Sequence, residues 1–153
     1  MSKRINDPIL TDKRPLVLIV EDDSDLGMSI VEYLSEEGLE AKLARDGDQA
    51  MRMVDSLAPA VMVLDLMMPR RDGFSVLREL RSDGRIASLP VIVVTAIFGL
   101  SERLYATELG AADYITKPFK LEDLLARIVG LLPAEARPPG ATGQVRREAP
   151  PEP

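Results

Sequence analysis

Five short apolar runs alternate with amphipathic stretches along this chain, and no other feature constrains the fold as much. The runs cover 16–20 (LVLIV), 40–44, 60–64 (AVMVL), 91–94 (VIVV) and 112–116. Strands separated by helical stretches form βα units, and repeated βα units build a parallel sheet. The first, third and fourth runs are nearly continuous Val, Leu, Ile and Met, the pattern of strands covered by helices on both faces. The second and fifth are weaker and belong at the edges. A doubly wound α/β domain is expected, with an aliphatic core, because aromatic residues make up only 4% of the chain.

The intervening stretches carry helical periodicity. Leu26, Ile30 and Leu34 form one stripe, stopped at Gly38. Ala50, Met53, Val54 and Leu57 form a second, stopped by Pro59. Val76, Leu77 and Leu80 mark a third helix that starts through Asp72-Gly73. Leu104, Thr107 and Glu108 fall in a short, weakly amphipathic fourth, for which Ser101 is the expected cap. Leu121, Leu124, Leu125, Ile128 and Leu132 give the fifth a wide apolar face, and Pro133 ends it.

Three segments follow: an N-terminal extension over 1–15, one folded domain over 16–132, and a tail or linker over 133–153. The tail holds six of the twelve prolines and has no apolar period. It cannot bury enough surface to offset its ordering entropy, so disorder is expected. The folded middle carries 12 basic and 20 acidic residues, which argues against direct nucleic-acid binding. No apolar stretch is long enough to span a bilayer, and a cytoplasmic protein without membrane contact is expected. With neither cysteine nor histidine, thiolate metal sites, disulfides and any histidine base or phosphohistidine on this chain are excluded.

Polar residues stand where the apolar runs end. Glu21, Asp22 and Asp23 follow the first run, Asp65 the third, Thr95 the fourth and Lys117 the fifth. A doubly wound sheet gathers the carboxyl ends of its strands into one crevice, where such sheets bind ligands. The acidic triplet also suits the start of a helix, where carboxylates complement the N-terminal dipole, and that reading stands beside the functional one. Asp65 differs, because a carboxylate emerging from a buried central strand needs a partner. Carboxylates of this kind suit Mg²⁺, a hard cation that takes oxygen ligands. Lys117 adds a compact positive charge and Thr95 a neutral donor. Phosphoryl transfer needs positioning and charge neutralisation above all, and this set supplies both.

The segments LIVEDD, VLDLMMPRRDG, VVTA and DYITKPF, in that order, resemble the receiver domain of bacterial two-component response regulators over residues 16–132. Asp65 lies 44 residues after Glu21, Thr95 30 after Asp65 and Lys117 52 after Asp65, as the family pattern requires. The resemblance implies a flavodoxin-like five-stranded parallel sheet of order 2-1-3-4-5 with five helices. It further implies that Asp65 is the phosphoacceptor, phosphorylated from a sensor histidine kinase or histidine phosphotransfer protein, and no enzyme beyond self-phosphorylation and self-dephosphorylation. Glu21, Asp22 and Asp65 would hold Mg²⁺ together with the backbone carbonyl of Met67. Thr95 and Lys117 would bind the phosphoryl group, Lys117–Pro118 would be a cis peptide, and Tyr114 would turn inward on activation. A rim tyrosine with a wet hydroxyl is the other reading of Tyr114. The output would be an altered surface around Phe98, Leu100, Leu104 and Lys120, docking an unknown protein target or a second copy as a phosphorylation-dependent homodimer. Met67 and Ile97 stand where this family tunes the phosphate lifetime, and neither side chain can orient water.

Other classes fit less well. A haloacid-dehalogenase-type phosphatase needs a second aspartate where this chain has Met67, and a nucleotide-binding domain needs glycines that the first βα turn lacks. A phosphorylation-independent receiver-like binding module would usually lack a key residue. A stand-alone regulator is favoured over the first domain of a longer one.

Overall fold

The computed structural model describes residues 14–97 and 99–140. Five parallel strands, β1 (Leu16–Val20), β2 (Glu40–Ala44), β3 (Val61–Leu64), β4 (Val91–Thr95) and β5 (Asp113–Thr116), lie in the order β2-β1-β3-β4-β5. The two weak apolar runs are indeed the edges. Strands β3 and β5 begin one residue later than their apolar runs, and β4 extends one residue further to take in Thr95. Helices α1 (Ser24–Glu36), α2 (Gly47–Leu57), α3 (Gly73–Ser82), α4 (Leu100–Glu108) and α5 (Leu121–Leu131) connect them.

Period-two alternation along the strands feeds two cores. Val17, Ile19, Val63, Ile92 and Val94 face α1 and α5, packing with Ile30, Leu34, Leu124 and Ile128. Leu18, Val20, Met62, Leu64 and Val93 face α2, α3 and α4, with Ala50, Val54, Val76, Leu80 and Ala106. Each fully buried Leu or Ile contributes roughly 1.5–3 kcal/mol relative to exposure. Three layers leave both faces of the central strands dry, which is why those strands carry no polar residue until their carboxyl ends.

Capping sets the helix starts. Asp23 accepts from the amides of Asp25 and Leu26 at α1, Asp46 from Gln49 at α2 and Asp72 from Ser75 at α3. The cap expected from Ser101 does not form: α4 begins at Leu100 after Gly99, with no side-chain cap, and the Ser101 hydroxyl donates to Glu102 instead. Ser101 lies inside the helix, where it has no free amide two or three residues ahead to accept from.

Disorder from residue 133 onward is likewise corrected in part. Ala134–Ala136 form a 3₁₀ turn, Arg137 Nε donates to the Leu132 carbonyl at 3.2 Å, and Pro138 is buried against Gly38. The proline ring packs against Gly38 just past the end of α1, a contact with a residue a hundred positions away that its sequence neighbours did not advertise. Residues 1–13 of the expected extension and 141–153 of the expected tail lie outside the described residues, as does Phe98. Among the described residues no helix is long and apolar enough to cross a membrane.

Candidate functional site

Strand register brings the acidic residues together. Val20 pairs with Leu64, so Glu21 and Asp65, each one residue further on, emerge side by side. Their amides remain in the ladder, Glu21 N–H donating to the Ala44 carbonyl and Asp65 N–H to that of Val20, both at 3.0 Å. Carboxylate oxygens of Glu21, Asp22 and Asp65 lie within 4.8 Å of one another. Glu21 and Asp65 are buried and Asp22 is exposed. Three hard oxygen donors converging at one opening can hold a divalent cation through one or two carboxylates and waters.

Asp23 takes no part in this cluster because its carboxylate caps α1. The helix-capping reading of the triplet is therefore correct for Asp23, and it leaves Glu21 and Asp22 free for the cluster.

Lys117 comes from the far edge. Its Nζ donates to Glu21 Oε1 at 2.7 Å and to Asp65 Oδ2 at 3.1 Å. The Lys117–Pro118 peptide is cis. Asp65 Oδ1 accepts from the Met67 amide at 3.0 Å, so both carboxylate oxygens of Asp65 are held. Burial pushes the Glu21 carboxyl up to about 7, against the lowering bond from Lys117 and with the charge of Asp65 adding to the rise. Burial works to lower the Lys117 ammonium, but its bonds to Glu21 and Asp65 outweigh that and leave it raised. The ammonium stays charged and compensates two buried acids.

Thr95, fully buried at the end of β4, accepts from the Ile97 amide at 3.3 Å, and its carbonyl accepts from the Lys117 amide at 2.9 Å. Tyr114 is buried rather than at the rim, and its hydroxyl donates to the Ile97 carbonyl at 2.5 Å. Ile97 thus contacts both residues through its main chain, which reading it as a side chain missed; backbone roles leave no trace in residue type. Leu100 and Leu104 are strongly exposed on α4.

The β3–α3 loop folds back tightly under the cluster. Gly73 N–H donates to the Leu66 carbonyl at 2.9 Å, and a β-carbon on Gly73 would lie 2.4 Å from the Asp65 carbonyl oxygen. Only glycine admits that approach.

A doubly wound sheet of this order, with two buried acids and a lysine at its carboxyl edge, defines a receiver-type fold. Residues 17–129 match the family model of the response regulator receiver domain, and the chain belongs to that family. The chain is 47% identical over 116 residues to the response regulator MprA of Mycobacterium ulcerans (strain Agy99), covering 76% of this chain and 49% of that protein. This chain spans about half the length of the curated relatives it matches. Among solved structures it resembles the Francisella response regulator 1452 receiver domain, with 32% identity and a TM-score of 0.73 over 77% of this chain and 96% of that one. The non-phosphorylated HemR receiver domain of Leptospira biflexa is similar too, with 34% identity and a TM-score of 0.71 over 77% of this chain and 94% of that one.

Proposed function

We propose that the chain accepts a phosphoryl group on Asp65 from a phosphohistidine and thereby switches a protein-interaction surface. The observation that carries this is the Lys117 ammonium spanning Glu21 and Asp65 within one carboxylate cluster. An oxygen of Asp65 attacks phosphorus, a P–O bond forms as the P–N bond of the donor breaks, and the donor imidazole takes up a proton. The chain has no histidine, so the donor is a sensor kinase or histidine phosphotransfer protein, or a small phosphorylated molecule.

Glu21, Asp22 and Asp65, with the Met67 carbonyl, would hold Mg²⁺, and their hard oxygen donors fit that ion. When bound, the ion neutralises charge on the phosphoryl oxygens. Lys117 pairs with one phosphoryl oxygen, exchanging a carboxylate contact for it, and the Thr95 hydroxyl donates to another. Once Thr95 turns toward the phosphoryl group, its bond from the Ile97 amide is given up, and the space it leaves favours the inward position of Tyr114, the one in which its hydroxyl meets the Ile97 carbonyl. That couples the site to the exposed face of α4 and to Lys120, where a target protein or a second copy would dock. Shifting such an equilibrium from about 1:99 to 99:1 takes roughly 5.5 kcal/mol of preference. The chemistry is the same whether the receiver works alone or heads a longer regulator.

The test is phosphoryl incorporation from acetyl phosphate or phosphoramidate, read by intact mass with and without Mg²⁺. One Mg²⁺-dependent adduct, absent in Asp65→Asn, is the expected outcome. No adduct on a folded, Mg²⁺-binding protein would sink the reading in favour of a binding module.

A further inference from the structure

Arg71 sits in the β3–α3 loop, six residues after Asp65, and its guanidinium spends all three nitrogens on two helices. Nε donates to Ser75 Oγ at 3.1 Å on α3, one terminal nitrogen to Asp48 Oδ1 at 3.1 Å on α2, and the other to Glu79 on α3. Its aliphatic stem lies over Gly47, where a β-carbon would come within 2.9 Å of it. The adjoining residue, Arg70, has φ 67, and the Arg71 amide donates across it to the Pro69 carbonyl at 2.8 Å. A non-glycine residue with positive φ inside an i to i+2 turn is strained and persists only where its surroundings hold it.

We infer that Arg71 is a positioning residue of the acidic site: by tying the strained turn at Arg70 to α2 and α3, it fixes the loop from which the Met67 amide holds Asp65. Asp48 and Glu79 are largely exposed, so ion pairs to them add little global stability. A planar fork bound at three points instead restricts where the loop can sit. The Met67 amide holds Asp65 Oδ1 from that loop, and Gly73 closes it back onto Leu66, so the clamp and the phosphoacceptor share one short closed segment. The consequence for metal rests on the Mg²⁺ reading above.

The test variant is Arg71→Met, which keeps the stem over Gly47 and deletes the fork. Two readouts are taken on the full chain. The first is amide hydrogen exchange over 66–73 without metal, which needs no assumption about the ion. The second is Mg²⁺ affinity by calorimetry. Exchange should rise severalfold in that loop alone while the thermal midpoint hardly moves, and Mg²⁺ affinity should fall by about tenfold, the scale of outer-shell substitutions at metal sites. Adding Arg70→Gly, which takes positive φ without penalty, should restore most of both. Unchanged loop exchange in Arg71→Met would overturn the inference, as would a uniform rise across the sheet, or no recovery with Arg70→Gly. If the natural sequence binds no Mg²⁺, the metal reading fails while the exchange result still decides the clamp.

Discussion

The Tyr114 hydroxyl lies 2.5 Å from the main-chain carbonyl of Ile97, 17 residues away, and donates to it from a buried position. The same Ile97 donates its amide to Thr95, so one residue's backbone joins the Thr95 and Tyr114 side chains, the two to which the proposed switch assigns its movement. Replacing Tyr114 by Phe keeps the ring and its packing but leaves the carbonyl without its donor. A single neutral hydrogen bond is worth about 1 kcal/mol net, so Tyr114→Phe should lower unfolding free energy by about that much. Urea titration checks it. A loss beyond about 3 kcal/mol would mean that the ring itself moves.

Glu21 gives the pH dependence. Its folded carboxyl titrates at about 7, pushed up chiefly by burial, whereas an unfolded glutamate titrates near 4.3. Between those values the folded state binds more protons than the unfolded one. The contribution of this group to stability is therefore fully present below about pH 4 and is lost as pH rises through 7. Without divalent metal, Glu21→Gln removes that loss and keeps an acceptor for Lys117. The variant should gain on the natural sequence as pH rises from 5 to 8, by roughly 2–3 kcal/mol at most. Thermal melts in metal-free buffer at both pH values provide the comparison, and a constant difference would show that Glu21 does not titrate in this range.

Most of the architecture was legible because it follows from period. The Leu26, Ile30, Leu34 stripe and the unbroken LVLIV and VIVV runs record burial directly, since a residue buried on both faces of a sheet must be apolar. The weakness of the second and fifth runs located the sheet edges for the same reason. The carboxyl-end positions of Glu21, Asp65, Thr95 and Lys117 were legible from spacing, and the register of β1 against β3 explains why two of them meet. What escaped was set by main-chain contacts and by tertiary cover. The Ile97 backbone bridge could be filled by any residue, Ser101 fell one position inside its helix, and Pro138 found a berth at Gly38. The fork of Arg71 joins residues 23 and 8 positions away, spacings that no local pattern encodes.

Asp23 tests the division of labour in the acidic triplet. Its Oδ1 accepts from the amides of Asp25 and Leu26, and it stands outside the cluster formed by its two neighbours. Losing a helix N-cap costs about 1 kcal/mol. Asp23→Ala should therefore lower stability by that amount and leave Mg²⁺ affinity and phosphoryl incorporation at natural levels, whereas Asp22→Ala should show the opposite pattern. Calorimetric titration with Mg²⁺ on both variants decides it. Loss of affinity in Asp23→Ala would assign that carboxylate to the metal.

Under the proposed phosphorylation of Asp65, Met67 is the position at which the lifetime of the aspartyl phosphate can be tested. Its amide donates to Asp65 Oδ1, and the residue, two positions after Asp65, is 57% exposed. Hydrolysis of an acyl phosphate needs a water oriented for attack on phosphorus, and a thioether is too weak an acceptor to hold one. The Ile97 side chain offers no hydrogen bond either. The natural protein should therefore lose its phosphate slowly, and Met67→Asn, with a carbonyl acceptor and an amide donor, should shorten the lifetime. The acyl phosphate is prepared from phosphoramidate, the donor is removed, and decay is followed by intact mass. An effect of several fold corresponds to about 1 kcal/mol of transition-state stabilisation, the scale of one hydrogen bond. Equal decay rates in the two proteins would mean that water reaches phosphorus without help from this position, and that control of the lifetime lies with Lys117 and the metal instead.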